Sequence, residues 1–512
     1  MDHSKKPEMP KPGIGTRLVY GLGSVAFGTK DAGFNTFLLI YYNQVLGVRA
    51  SLVSLAIAIA LAVDALFDPL IGQISDGWRS RLGRRHPFMY GAAAPIALSY
   101  FLLWNPPHWQ TSSLFLYVLA MAILVRMFVA CYEVPSTALA PELSPLYNER
   151  TTLLAFRWLF GAVGAGVTLT IALVFFMHPT RAQPIGILNK EGYFAYSVMA
   201  ALVMLTSILL SAFGTHNRIP YLRRAPERQS FSLRQLAGEV FQSISNGSFL
   251  AVTISAIFGG VGLGLVVGLG TYINTYFWRF TAAQLGAIAL GAAIATVIAA
   301  VVAPILTAKL DKKRGYIATA VGSLIVNNIT ITLKLFGFLP VSNPNLLLAI
   351  IFVSTTVGLA LAIASAILVS SMIADVVEDN ELRTGRRSEG LFSAAISFVQ
   401  KSTSGFGILL SGLLLDLVAF PAHASPVTID PTIMRHLLFI YMPLQFTLFG
   451  IAILCLGRYA IDREAHERNL ERLAEKSAAH TEAPTADAAT VAGELTMARG
   501  KPQIRTAQLH GE

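Results

Sequence analysis

Two aspartates stand four residues apart in the run VDALFDP, Asp64 and Asp68, and at that spacing they share one face of a helix. Carboxylates so close in an apolar run do not both stay comfortably ionised, so they share a proton, hold a cation or pair with a basic side chain. This is the chemistry of a coupling-ion site. The ordinary alternative is a structural ion pair near a helix end, which weighs most on Asp68. Other charges lie in equally apolar surroundings: Lys30 with Asp31, Arg126 with Glu133 seven residues on and nearly on the same face, Arg157, and Lys401. Together they suit a polar chamber in which carboxylates accept from solute hydroxyls and Arg or Lys donates. They also suit a set of mutual salt bridges holding helices together.

The elements that must position these groups read as membrane spans. The chain has 512 residues, 54% hydrophobic and only 13% charged, about half the charged share of an ordinary soluble protein. Apolar runs reach the ~20 residues that cross a bilayer core. Twelve can be placed, at residues 18–45, 52–74, 88–104, 113–139, 153–177, 193–213, 248–278, 282–308, 316–336, 346–373, 391–418 and 436–456. At that depth an ionisable side chain costs ~2.5–3.5 kcal/mol on insertion scales, so each charge named above calls for a function. Glycine-dense stretches, GAVGAG (161–166) and GGVGLGLVVGLG (259–270), follow no strand, and close helix approach explains them better than phosphate binding.

The net charge of +10 does not point to nucleic acid, because Lys and Arg sit in short segments between spans. Counted with the N-terminus inside, inner segments hold twenty-one Lys and Arg and outer segments five, which puts both termini in the cytoplasm. Cys131 and Cys455 are far apart in apolar segments and indicate neither a disulfide framework nor a metal site. The basic start lacks a cleavage signal, so the first span is expected to be retained.

The expected fold is all-α and polytopic, with twelve transmembrane helices in two six-helix pseudo-repeats. A cytoplasmic segment (1–17) leads into an N-terminal bundle (18–213), then a central cytoplasmic loop (214–247), a C-terminal bundle (248–458) and a partly disordered tail (459–512). The loop SDGWRSRLGRRHP after the second span is echoed by AKLDKKRGY after the eighth. Halves so related carry their substrate site between them at mid-membrane and work by rocking. Asp76, Arg81, Arg84 and Arg85, with Glu142 and Arg150, are candidates for ion pairs closing the inner side. Positive-inside anchoring explains those arginines equally well.

Four segments carry a family resemblance: YGLGSVAFGTKD, DALFDPLIGQISDGWRSRLGRRHPF, EVPSTALAPELSPLYNERT and DVVEDNELRTGRRSEGLFSAAISFVQK. In this order the chain resembles the glycoside–pentoside–hexuronide:cation symporters of the major facilitator superfamily, from about residue 16 to residue 458. The resemblance implies that Asp64 and Asp68 form the cation site. It implies that Asp31, Glu133 and Arg157, with Lys30 beside them, face the sugar, and that Lys401 links the two sites. Phe67 replaces an amide found in sodium-using relatives, Ala130 a hydroxyl residue, and Thr137 a sugar-stacking Trp, while Arg126 brings a guanidinium toward the aspartates. Fewer oxygen ligands and a fixed positive charge weaken sodium binding, so a proton is favoured over sodium as coupling ion.

The expected activity is cation-coupled symport of a sugar, glycoside or uronide, with no cofactor. The chain is expected to act as a monomer in the lipid bilayer of a bacterial-type plasma membrane. Without the Trp, an amphipathic or lipid-like solute is the alternative. An enzyme reading rests on Asp64/Asp68 and Asp375/Asp379 as diphosphate-binding pairs of a membrane prenyltransferase. The first of these pairs lies inside a span, away from the interface where such enzymes hold magnesium. A transporter-like sensor that binds without moving solute is a third.

Overall fold

A computed structural model describes residues 11–144, 146–181, 183–222, 247–339, 343–384 and 389–459, together with Glu464 and Arg468. The described secondary structure is helical throughout. Among the described residues, eleven helices are long and apolar enough to cross a membrane. The expected first span is the exception, because it is broken: α1 (Ile14–Leu22), α2 (Val25–Gly33) and π-helical turns at Phe34–Leu38 and Tyr41–Val45. At the break the Ser24 and Ala26 amides bond three residues back, to the Gly21 and Gly23 carbonyl oxygens. Position 23 has no room for a side chain, since a Cβ there would lie 1.8 Å from the Tyr132 hydroxyl.

The rest of the first half comprises α3 (Ala50–Gly77), α4 (His86–Trp104), α5 (Thr111–Leu143), α6 (Tyr147–Ile171) and α7 (Lys190–His216). The second comprises α8 (Gly247–Tyr272), α9 (Ala282–Leu310), α10 (Lys312–Leu335), α11 (Pro344–Thr384), α12 (Glu389–Leu417) and α13 (Pro431–Leu456). Helix α11 continues past the apolar limit at 373, because DVVEDNELRT is charged yet helix-forming. The proposed central loop and tail fall mostly outside the described residues. Helices alternate in direction, so residues 11 and 459 lie on one face, the terminal face, and the connection 46–49 lies on the far face.

Two seams join the halves: α3 runs against α12, and α6 against α9. Small residues set their spacing. Gly412 abuts Ser54, and Gly405 lies against the Ala58 backbone. Within the second half, a Cβ at Gly264 would sit 2.0 Å from the Ser404 carbonyl oxygen, and one at Gly407 2.1 Å from that of Val261. In lipid, where no hydrophobic drive pulls helices together, such close packing is the main attraction. Pro69 inside α3 removes the amide that would bond the Ala65 carbonyl, loosening the helix beside Asp68.

The crossing of α8 on α12 is therefore expected to be intolerant of bulk. Gly264→Val should lower stability by about 1–3 kcal/mol, read as thermal unfolding in detergent. Gly270→Val, where a Cβ meets nothing within 4 Å, should change it by less than about 0.5 kcal/mol. Equal effects at both positions would contradict the packing argument.

Candidate functional site

At the middle of the α3–α12 seam, the Lys401 ammonium reaches across from the second half. It lies 3.0 Å from Asp64 Oδ2 and forms a short contact with Asp68 Oδ2. Arg126 of α5 donates to the same Asp64 oxygen from Nη1 at 3.3 Å, and its guanidinium lies 4.8 Å from the ring centre of Phe34. Asp64 and Arg126 are each 5% exposed. One carboxylate thus receives two cations, and Asp68 has one. Spacing four residues apart on α3 put the aspartates on one face, and α12 and α5 bring the bases to that face.

The other charges gather around this centre. Lys30 pairs with its neighbour Asp31 at 2.8 Å and lies within electrostatic reach of Asp64 and Glu133. Glu133, partly buried, makes no side-chain hydrogen bond among the described residues and is within electrostatic reach of Lys30, Asp31, Lys401 and Arg157. Arg157 reaches α5 instead of an acid: Nη1 donates to Ser136 Oγ at 3.1 Å and Nη2 to Thr137 Oγ1 at 2.9 Å, with Tyr20 and Phe27 rings beside the guanidinium. The eight groups form one set of four acids and four bases, formally neutral. Thr137 is engaged by Arg157 and presents no ring face for stacking.

The terminal-face candidates divide. Glu142 accepts from Arg84 Nη2 at 2.7 Å and Arg85 Nε at 3.2 Å, while Arg85 also binds Asp76 closely and Ser75 Oγ at 2.8 Å. These bonds all lie within the first half, so in this conformation they do not bridge the halves. Among the described residues Arg81 is exposed and makes no ion pair, and Arg150 donates to the Ser144 carbonyl oxygen at 2.9 Å, so neither joins the network there. Both lie outside the short arc in which α3, α4 and α5 converge. The second half repeats the device: Lys312 binds both oxygens of Asp375 at 2.7 Å, and Tyr459 donates to Asp375 at 3.0 Å. Asp375 is thus engaged by a lysine and a tyrosine, and the Asp379 side chain lies outside the described residues.

The far face is where the halves lock. Gln44 Oε1 accepts from Tyr276 at 3.1 Å and from the Ala424 amide at 2.9 Å, its Nε2 donates to the Pro421 carbonyl oxygen at 3.1 Å, and His423 Nδ1 donates to its backbone oxygen at 3.0 Å. Tyr272 donates to Asn43 Oδ1 at 2.7 Å and Thr271 to the Thr36 carbonyl oxygen at 2.8 Å. These lock residues escaped the sequence reading, which looked for charges; the signal was an Asn-Gln pair at the end of an apolar run. Below Lys401 the facing ends, Gln73 and Ile74 of α3 with Phe398 and Gln400 of α12, are exposed. Among the described residues, hydrogen bonds between the halves gather at the far face, and these terminal-face ends are exposed.

Residues 19–463 match the family described as MFS/sugar transport protein. The chain belongs to this family. An uncharacterized symporter of Synechocystis is 28% identical over 88% of this chain and 95% of its own length. The isoprimeverose transporter of Lactiplantibacillus pentosus is 24% identical over 87% and 88% respectively. The sodium-dependent lysophosphatidylcholine symporter 1 of Gallus gallus is 24% identical over 93% and 92%. The fold is that of the major facilitators. A bacterial homologue of the human drug peptide transporters superposes with TM-score 0.59 at 14% identity, covering 90% of this chain and 99% of the other, and the nucleoside transporter NupG with 0.57. The family is one of transporters, so the prenyltransferase reading is set aside. A relative in Escherichia coli is named a putative glycoside/cation symporter, and the Gallus gallus relative is named as sodium-dependent.

Removing Lys401 while keeping both aspartates leaves Asp68 without a base at contact distance among the described residues and Asp64 with Arg126 alone. Lys401→Gln should therefore destabilise the protein by roughly 2–3 kcal/mol, below the range for a fully buried pair because the side chain is 30% exposed. Adding Asp68→Asn should recover part of that loss. A double variant no more stable than Lys401→Gln alone, in thermal melts, would count against the pairing.

Proposed function

We propose that this member of the sugar-transport family couples entry of a sugar, glycoside or uronide to a proton held on Asp64 and Asp68, by alternating access. The observation that carries the reading is the Lys401 bridge. A single ammonium from the second half satisfies both carboxylates of the first, at the seam the halves must work. A proton on Asp68 removes one arm of that bridge and frees α12 to shift on α3, and any such coupling is reciprocal with solute binding. Asp31, Lys30, Glu133 and Arg157 would supply the hydrogen bonds to solute hydroxyls, with Thr137 at the rim.

Several features support a proton over sodium. Asp64 Oδ2 is taken by Arg126 and Lys401, and Phe67 and Ala130 offer no oxygen where a hard cation needs several. The carbohydrate class is supported by the family and by relatives named for isoprimeverose and lactose. The charge asymmetry of the connecting segments supports a cytoplasmic terminal face. The conformation is then inward-open.

The test is uptake of labelled glycosides and uronides by proteoliposomes under imposed gradients. An inward pH gradient should drive accumulation, a sodium gradient at fixed pH should not, and Asp64→Asn should abolish accumulation. Replacing Arg126→Gly, Phe67→Asn and Ala130→Thr together should confer stimulation by sodium. Strong sodium stimulation of the natural chain at constant pH would overturn the proton reading.

A further inference from the structure

A cavity of about 1020 Å³ opens on the far face. Its walls come from the first half: the end of α4, the loop after α6 and the start of α7. His423 adds a contribution from the second. Two of its lining residues, Gln44 and His423, are the two sides of the inter-half lock. The four polar positions on the Gln44 amide are engaged: Oε1 by Tyr276 and Ala424, and Nε2 by Pro421 and Asn43. The lock therefore has no spare capacity, and a new partner at this cavity must displace an existing one.

The lining has a definite chemistry. Phe194 gives it exposed aromatic surface, while the Tyr41 and Trp104 rings that border it are buried. Arg181 and Lys190 are exposed cations that make no ion pair among the described residues, and Glu191 is the single carboxylate of the lining. One exposed ring with two such cations suits a hydroxylated ring that carries an acid group: the sugar ring packs on Phe194 and the carboxylate takes the cations.

We infer that this cavity is a docking site for acidic sugars on the far face, and that its occupant loosens the Gln44–His423 contact and so favours opening on that side. The inference rests on the sugar-symport reading and adds to it a second, face-specific site with a preference for uronides over neutral glycosides. The bound acid would lie beside His423, whose Nδ1 proton is shared with the Gln44 carbonyl oxygen. Competition for that proton is the link from occupancy to the lock.

The test uses purified full-length protein, p-nitrophenyl β-D-glucuronide as probe and the neutral p-nitrophenyl β-D-glucoside for comparison. Calorimetric titration should find two glucuronide sites per chain, one of them lost in Arg181→Ala/Lys190→Ala. In oriented proteoliposomes the same double variant should raise KM for glucuronide presented at the far face about fivefold. KM for efflux from the terminal face and KM for the glucoside should stay unchanged. Arg181→Lys should retain the second site. A single site in the natural chain, no glucuronide binding, or equal KM shifts from both faces would overturn the docking site. Glucoside transport without glucuronide binding would remove this site and leave the symport reading standing. Two-site binding with no transport of either probe would do the reverse.

Discussion

A charge buried among lipid-facing helices has to be cancelled by another, and the arrangement of this protein follows from where the cancelling partner sits. Asp64 and Asp68 lie on the first half and Lys401 on the second. Their mutual need ties the halves at mid-seam, while breaking the tie leaves the Asp68 carboxylate unpaired in low dielectric. Arg126 adds a fixed cation on the first half, so Asp64 keeps a partner when Lys401 withdraws. Asp68 has no second base at contact distance among the described residues, which makes it the acid whose state decides whether the bridge holds.

Above and below that tie the seam behaves differently. Toward the far face, small residues let α3 and α12 touch backbone to backbone, and Gln44 gathers hydrogen bonds from α8 and the segment after α12. Toward the terminal face Gln73, Ile74, Phe398 and Gln400 are exposed, and the arginine–carboxylate clusters satisfy themselves within each half. The π-helical turns cluster at the far-face ends of the first span, α6 and α8, where the halves meet. Such turns hold an extra residue in the helix and commonly mark functional positions.

Much of this could be read from the sequence because burial in lipid leaves few choices. Long apolar runs had to be spans, and charges such as Asp64 and Lys401 inside them had to converge. The close packing at Gly23 is not legible in the sequence, since it depends on Tyr132 arriving from α5. The assignment of Arg85 but not Arg81 to the Glu142 cluster was hidden for a similar reason: both sit in one basic loop, and tertiary geometry alone separates them. The Gln44 lock was missed because neutral amides carry no penalty large enough to stand out in an apolar segment. Arg157 was read as a chamber residue, and its bonds to Ser136 and Thr137 show that it also ties α6 to α5.

The account turns on the protein's own carboxylates carrying the coupling charge. Its most direct test is to record internal pH and solute uptake together in proteoliposomes with no imposed gradient. The account requires internal acidification that tracks solute entry in the natural chain and disappears in Asp68→Asn even if solute still exchanges. Solute entry at full rate with no change in internal pH would contradict it.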